Sequence, residues 1–259
     1  MSERASARPF ILAECTWPEV RAHRYEVAVL PWGATEAHNT HLPYATDTIE
    51  ADAVAAGAAE RAWAAGARVV VLPAIPFGVQ TMQREVPFCL NMNPSTQAAI
   101  LRDVMQTVVA HGVQKLVILN GHGGNDFRQI IRELQPGSGL LLAQVNWWTL
   151  GQPATHFAEP GDHAGELETS VMLHLAPNIT RPVSEAGPGR ARRAQVKGFR
   201  EGWAWTPRHW VQVTSDTGVG NPAAATREKG AAFLEAVVAQ FAGFLVELAA
   251  ADPAAMYEQ

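Results

Sequence analysis

Between Gly33 and Asp47 the chain reads GATEAHNTHLPYATD, which gathers Glu36, His38, His41 and Asp47 in one stretch without a Lys or Arg. Imidazole nitrogens and carboxylate oxygens are lone-pair donors, and a divalent cation is a counter-charge that would balance them. Glu36 and His38 are two residues apart, so an extended backbone turns both side chains to the same side. A second stretch, LNGHGGND, carries His122 between Gly121 and the Gly123–Gly124 pair, where glycine permits close approach of backbone to a ligand. A third, GDHAGELETSVML, holds His163, Glu166 and Glu168. Glu36, His38 and Asp47 with His122 suit one hard-to-borderline divalent ion. They also suit two ions bridged by Asp47, since paired metals sit about 3.5–4 Å apart and can hold a hydroxide between them. Plainer roles exist for each residue: Asp47 as a helix N-cap, His38 or His41 as a loop hydrogen-bonder, GHGGN as an anion-binding nest, and Glu166 and Glu168 as complements to a helix dipole. The last leaves His163 without a task. A neutral imidazole beside carboxylates can act as general acid or base near pH 7.

These residues need a frame that brings three separated stretches together. Apolar runs at 25–32 (YEVAVLPW), 67–75 (ARVVVLPAI), 114–120 (QKLVILN) and 139–148 (GLLLAQVNWW) predict buried strands. Helical patterns separate them at 47–66, 93–112 and 125–135. In the first, Asp47 followed by Glu50 forms an expected N-cap pair; in the second, Asn or Ser caps the start and Gly112 ends it. Further helices are expected at 165–176, stopped by Pro177, and at 224–251, with an irregular Gly-, Pro- and Trp-rich segment at 178–223 between them. Strands apolar throughout and alternating with helices predict an α/β fold with a parallel sheet covered on both faces. One domain over residues 1–259 is the expectation. In such sheets ligands bind beyond the carboxyl ends of the strands, and strands one and three run directly into GATEAHNTHLPYATD and LNGHGGND.

The composition bounds the function. The chain has 259 residues, 47% of them hydrophobic, with a formal net charge of -5, so nucleic acid is not an expected partner. The basic run GRARRAQVKGFR (189–200) reads as a solvated loop. Cys15 and Cys89 form no CxxC pattern, and no disulfide framework is expected. The polar start MSERASARPF has no apolar core of a signal peptide, and no membrane partner is expected; the reading is cytoplasmic. Trp147 and Trp148, at the end of the fourth strand, are the tryptophans expected to stack on a planar substrate.

LPWGATEAHNTHLPYATD, LNGHGGN and HAGELETS, in that order, resemble the signature blocks of the creatininase (creatinine amidohydrolase) family, and SDTGVGNPAAATREKG (215–230) is similar to a fourth. The resemblance spans about residues 28 to 230. It implies a three-layer α/β/α sandwich with a mainly parallel central sheet, a small-molecule substrate and a homo-oligomer, a hexamer in creatininase itself. It implies a metal-dependent hydrolase with two divalent ions per chain, zinc and/or manganese with iron as an alternative. By resemblance Glu36 and His122 hold one metal, His38 helps hold the other, Asp47 bridges them, and His163 handles protons while metal-held hydroxide attacks a cyclic or small linear amide. Relatives with other chemistries include deformylases, a peptide-trimming enzyme and hydrolases that open oxidised cyclitol rings. A catalytically silent, metal-stabilised binding subunit is the reading from a different class. The sequence departs from creatininase at Gly123 and Gly124, where that enzyme has a bulky residue and a metal-binding glutamate; Glu168, then Glu166, is the replacement expected. It departs again in 77–96, where Phe88 and Cys89 replace a Gly-Thr pair found in many relatives.

Overall fold

The structure, a computed structural model, describes residues 8–258. Helix α1 (Trp17–Arg21) precedes strand β1 (Val27–Trp32). Three crossovers follow: α2 (Thr46–Ala64) leads to β2 (Val69–Val71), α3 (Pro94–Ala110) to β3 (Lys115–Asn120), and α4 (Arg128–Leu134) to β4 (Leu141–Asn146). Then come α5 (Glu166–Leu175), the short α6 (Lys197–Glu201) and α7 (Trp210–Val213), and the long α8 (Arg227–Ala250). The four strands are all parallel, in the order β2-β1-β3-β4.

The strands are apolar throughout because both faces are covered. Val27 and Val29 of β1 and Val117 and Leu119 of β3 join one core with Val54 and Ala58 of α2, Val171 of α5, and Phe233, Val237 and Phe241 of α8. Their neighbours Ala28, Leu30, Leu116 and Ile118 join a second core with Leu101, Met105 and Val108 of α3 and Ile130 of α4. Successive side chains on a strand point to opposite faces, and this alternation makes the three layers of an α/β/α sandwich. By length and composition α8 is apolar enough to cross a membrane. Its Phe233, Val237, Phe241 and Leu245 are instead buried against the sheet, α2 and α5, where each fully buried side chain is worth about 1.5–3 kcal/mol.

Several expected boundaries move. The second strand is only Val69–Val71, because Pro73 and Pro76 cannot donate to a ladder. The fourth ends at Asn146, and Trp147–Thr149 turns away as a 3-10 helix. Trp147 is fully buried in the first core, which takes it out of contact with any substrate; Trp148 remains partly open. Asp47 is not an N-cap: Ala45 holds that place without a side-chain bond, and Asp47 lies inside the first turn. Asn93 occupies the N-cap of α3 but its side chain makes no cap bond, Pro94 at the first position needing no partner for its nitrogen. The 178–223 segment, expected to be irregular, includes α6 and α7.

The order β2-β1-β3-β4 puts a topological switch point between β1 and β3, where successive connections leave in opposite directions along the sheet. The loops after these two strands carry Glu36, His38 and His122.

Candidate metal centre

Loop 33–45 leaves β1, crosses the top of the sheet and enters α2, whose first turn carries Asp47. Gly121 at the end of β3 lies against this turn: a Cβ there would come within 2.5 Å of the Asp47 carbonyl oxygen. That close approach brings His122 to Asp47 and Glu36. The His122 Nδ1 atom is 2.7 Å from Glu36 Oε1 and 3.1 Å from Asp47 Oδ2. His38 Nε2 lies 2.8 Å from Asp47 Oδ1. His163, from the loop before α5, puts Nδ1 3.8 Å from Glu36 Oε1 and its ring 4.2 Å from that of His38. Ligand atoms of Glu36, Asp47 and His122 lie within 4.8 Å of one another, as do those of His38, Asp47 and Glu168, and those of Glu36, His38 and His163. Asp47 belongs to two of these groups.

The far nitrogen of each imidazole is anchored on a backbone carbonyl. His38 Nδ1 is 3.1 Å from the Glu36 oxygen, His122 Nε2 is 3.1 Å from the Val79 oxygen, and His163 Nε2 is 2.8 Å from the Ala37 oxygen. A carbonyl only accepts, so each of these nitrogens carries the hydrogen. In the neutral ring the other nitrogen is then a bare lone pair, and all three bare nitrogens face the carboxylates. This is the arrangement by which backbone groups fix the tautomer and aim of metal-binding histidines.

The donor set fits divalent cations on a second count. Glu36 Oε1, Asp47 Oδ2 and His38 Nε2 are buried yet make no hydrogen bond of acceptable geometry despite their short separations. Carboxylates and imidazoles crowded out of water in this way need positive charge between them. In the protein alone that charge is a proton. Burial pushes the His38 imidazolium down, but Asp47 and then Glu36 outweigh it and raise the pKa to about 10. Burial opposes charge on His122 likewise, and Glu36 and Asp47 lift it well above the ordinary histidine range. Burial would raise Glu36, but His122, His163 and His38 hold it well below the carboxylate range.

Surrounding residues hold these side chains in place. Gln83 donates its side-chain amide to Glu36 Oε2 and accepts from Cys89 Sγ at 3.3 Å. Asn125 accepts from Val79 N at 3.0 Å and Gln97 Nε2 at 2.8 Å, and donates to Asn120 Oδ1 at 3.0 Å. Asn120 Oδ1 in turn accepts from His122 N at 3.2 Å. The asparagines of LNGHGGN thus set the loop that presents His122. The fourth block acts on His163, whose backbone exchanges two 2.8 Å hydrogen bonds with Val219; Trp210 of α7, just before that block, packs edge-on against the His163 ring at 5.2 Å. Ala164, at φ 51, turns its N–H to Glu168 Oε2. Gln83 and Trp210 were not legible in the sequence, because both sit in short helical turns within stretches whose path no periodicity marks.

Glu168, the first replacement expected for a ligand at Gly124, has a carboxylate oxygen within 4.8 Å of the ligand atoms of His38 and Asp47. Burial raises its pKa, and although His38 and His163 pull it down, burial with the smaller push from Asp47 leaves it raised. Glu166 does not join them: it is buried beside Lys229 of α8, to which it is ion-paired. His41 is buried apart from the cluster with Nε2 2.9 Å from Thr169 Oγ1. Gly124 has no room for a side chain in this arrangement, since a Cβ would lie 2.3 Å from His122 Nε2 and 2.4 Å from the Val79 oxygen. Glu50, expected beside an N-cap, is fully buried with both oxygens unpaired, and burial, then Glu168 and Asp47, raises it well above the usual carboxylate range.

A cavity of about 1400 Å³ opens beside the cluster and is lined by Gly123, Gly124 and Asn125 on the sheet side and by the 191–213 segment opposite.

The family model for Creatininase, described as creatinine amidohydrolase, matches residues 13–245. A provisionally assigned creatinine amidohydrolase from Bacteroides fragilis NCTC 9343 is 42% identical, with a TM-score of 0.90 over 96% of this chain and 99% of its own. A mycofactocin precursor peptide peptidase from Mycobacterium tuberculosis (strain CDC 1551 / Oshkosh) is 31% identical over 221 residues, 81% of this chain and 80% of its own. At 23% identity, a mutant creatininase of the Zn–Zn type shares the fold, with a TM-score of 0.75 over 92% of this chain and 97% of that one.

Proposed function

The chain belongs to the creatininase family of metal-dependent hydrolases, and on that premise we propose that it cleaves an amide C–N bond with two divalent ions, zinc or manganese, held at the β1–β3 switch point. The observation that carries this is the common aim of the three histidines. Each donates one ring hydrogen to the backbone and turns its other nitrogen to Glu36 or Asp47.

Glu36, Asp47 and His122 would hold one ion, and His38, Asp47 and Glu168 the other, with Asp47 shared. Bound there, divalent ions supply a polarised carbonyl and a water of lowered pKa. The chain's own residues orient and move protons. Gln83 holds one oxygen of Glu36, which leaves Oε1 as the free ligand atom. His163 keeps Nε2–H on the Ala37 carbonyl, so the proton it takes and gives is carried at Nδ1, the nitrogen facing Glu36. Handing that proton to the departing nitrogen is the step an amide needs, because an amine leaves far more readily than its anion. Residues 33–45, the LNGHGGN loop, the 160–165 loop and the first turn of α5 close around this point, with Glu36, His38, Asp47, His122 and His163 all buried.

The cavity favours a linear or extended amide over a compact lactam. About 1400 Å³ exceeds what a small ring fills, and a similar protein is named as a peptide peptidase. A homo-oligomer belongs to the proposal as a family-level expectation, and a cytoplasmic setting as an expectation from the sequence composition. Elemental analysis of the purified protein, with turnover of lactams, N-formyl compounds and short peptides, tests it. One to two zinc or manganese ions per chain and metal-dependent release of amine are expected. Less than a tenth of an ion per chain, with no uptake on adding either metal, would overturn it.

A further inference from the structure

The cavity beside the cluster has one wall that the hydrolase chemistry does not use. GRARRAQVKGFR, solvent-exposed as expected from the sequence, runs along it and contributes Arg192, Arg193 and Arg200 to the lining. Two other arginines of the lining are neutralised: Arg128 is paired with Asp126 and Arg208 with Asp162. The first three are not. Arg192 Nη1 donates to the Gln212 carbonyl at 3.0 Å, and Arg200 Nη1 donates to the carbonyls of Ala194 at 3.1 Å and Gln195 at 3.0 Å. Carbonyls fix the position of a guanidinium without cancelling its charge. Arg193 makes no hydrogen bond or ion pair among the described residues. In a chain of net charge -5, three unbalanced cations therefore face one cleft, and cleft walls of a single sign concentrate ions of the other.

Aromatic rings share this cleft. Trp148 reaches it from the end of β4, and Phe199 and Trp205 from the opposite wall. Trp205 is 82% exposed. Rings left open on the wall of a cleft, next to guanidinium groups, suit a planar group bearing a negative charge.

We propose that this arginine wall recognises an anionic group, carboxylate or phosphate, joined through a planar portion of the substrate to the amide that the cluster cleaves. The inference rests on the hydrolase reading only for the amide; the anion site stands on Arg192, Arg193 and Arg200. Guanidinium groups bind either oxyanion through paired N–H donors, and the two are separated by experiment.

The test titrates metal-loaded protein calorimetrically with phenyl phosphate, benzoate and benzamide. At least one anion binds tenfold or more tightly than benzamide, and raising salt from 0.15 to 0.5 M weakens the anion alone, as expected for a partly exposed charge site (on the order of a Debye length of 8 Å shrinking with salt). Phosphate or carboxylate preference names the natural group. Arg193→Glu lowers anion affinity at least tenfold with melting temperature, metal content and benzamide binding unchanged. The same titration on the metal-poor variant Asp47→Asn retains anion binding, which separates this site from anion capture by the metals. Benzamide binding as tightly as both anions, or anion affinity untouched by Arg193→Glu, or anion binding lost with the metals, would each overturn the proposal. Absence of turnover on every amide, with anion binding intact, would instead remove the hydrolase reading and leave the anion site standing.

Discussion

Asp47→Asn is the substitution on which the bridged centre depends. Asp47 presents Oδ1 at 2.8 Å from His38 Nε2 and Oδ2 at 3.1 Å from His122 Nδ1, and it belongs to both two-carboxylate or mixed ligand groups proposed to hold metal. Asparagine keeps the size and one oxygen but removes the negative charge, and it places an NH2 donor where a lone pair stood. A unit charge about 4 Å from a dication contributes roughly 8 kcal/mol at an effective dielectric of about 20. If relaxation and water return half of that, about 4 kcal/mol remains, or roughly three decades in metal affinity. The new amide also donates readily to the bare Nδ1 of His122 and holds that ring away from an ion. The assay is metal content by elemental analysis after dialysis against buffered micromolar zinc or manganese, beside a melting curve of the same sample. Loss of at least one ion per chain with the fold retained is expected. Because the side chain caps nothing in α2, whose N-cap is Ala45, the helix itself is not expected to weaken. Full metal occupancy in Asp47→Asn would refute the bridge.

His163→Ala is expected to lower turnover by about 10²–10⁴-fold while metal content stays near normal, as for a lost general acid; metal lost along with activity would make His163 a ligand, which its place beside Glu36 and His38 permits. Gly124→Ala drives a methyl group into the space between His122 Nε2 and the Val79 carbonyl, so about a tenfold to hundredfold loss of metal affinity is expected from disturbing that anchor, measured by competition with a chelator; unchanged affinity would show that the anchor is dispensable. The metal-stripped protein should be pH-sensitive: Asp47 and Glu36, against burial, raise His38 to about 10 from an unfolded value near 6.5, so its stabilising contribution is complete below about pH 6.5 and is lost as pH rises through 10. A melting temperature that falls from pH 7 to 10 without metal, and falls less with zinc bound, is expected; identical profiles would remove the claim that proton and metal compete for the same lone pairs.

The sequence alone determined the layers and the metal-binding vocabulary. Uninterrupted apolar strands such as KLVILN can exist only with both faces covered, so alternation with helices sufficed for a parallel sandwich. The loops after β1 and β3 could be singled out because the carboxyl ends of a parallel sheet share one edge. Glu36, His38, Asp47 and His122 could be named from that edge and their types. What the sequence did not contain was strand order, and with it the adjacency of β1 and β3 that sets His122 Nδ1 2.7 Å from Glu36 Oε1. Local rules also misassigned Asp47 and Glu50 as a cap pair, since propensity sees only the helix's own N–H groups, whereas Asp47 is drawn to imidazoles from two other loops. Glu168 was preferred to Glu166 in the sequence only by the shared ETS of the family block; α8 separates them physically by bringing Lys229 to Glu166 and leaving Glu168 to face His38 and Asp47. The basic run at 189–200 had no meaning until its loop folded over the open side of the site. Such contacts join residues tens to more than a hundred positions apart, and their free energy depends on the shared burial and converging charge that only the packed chain creates.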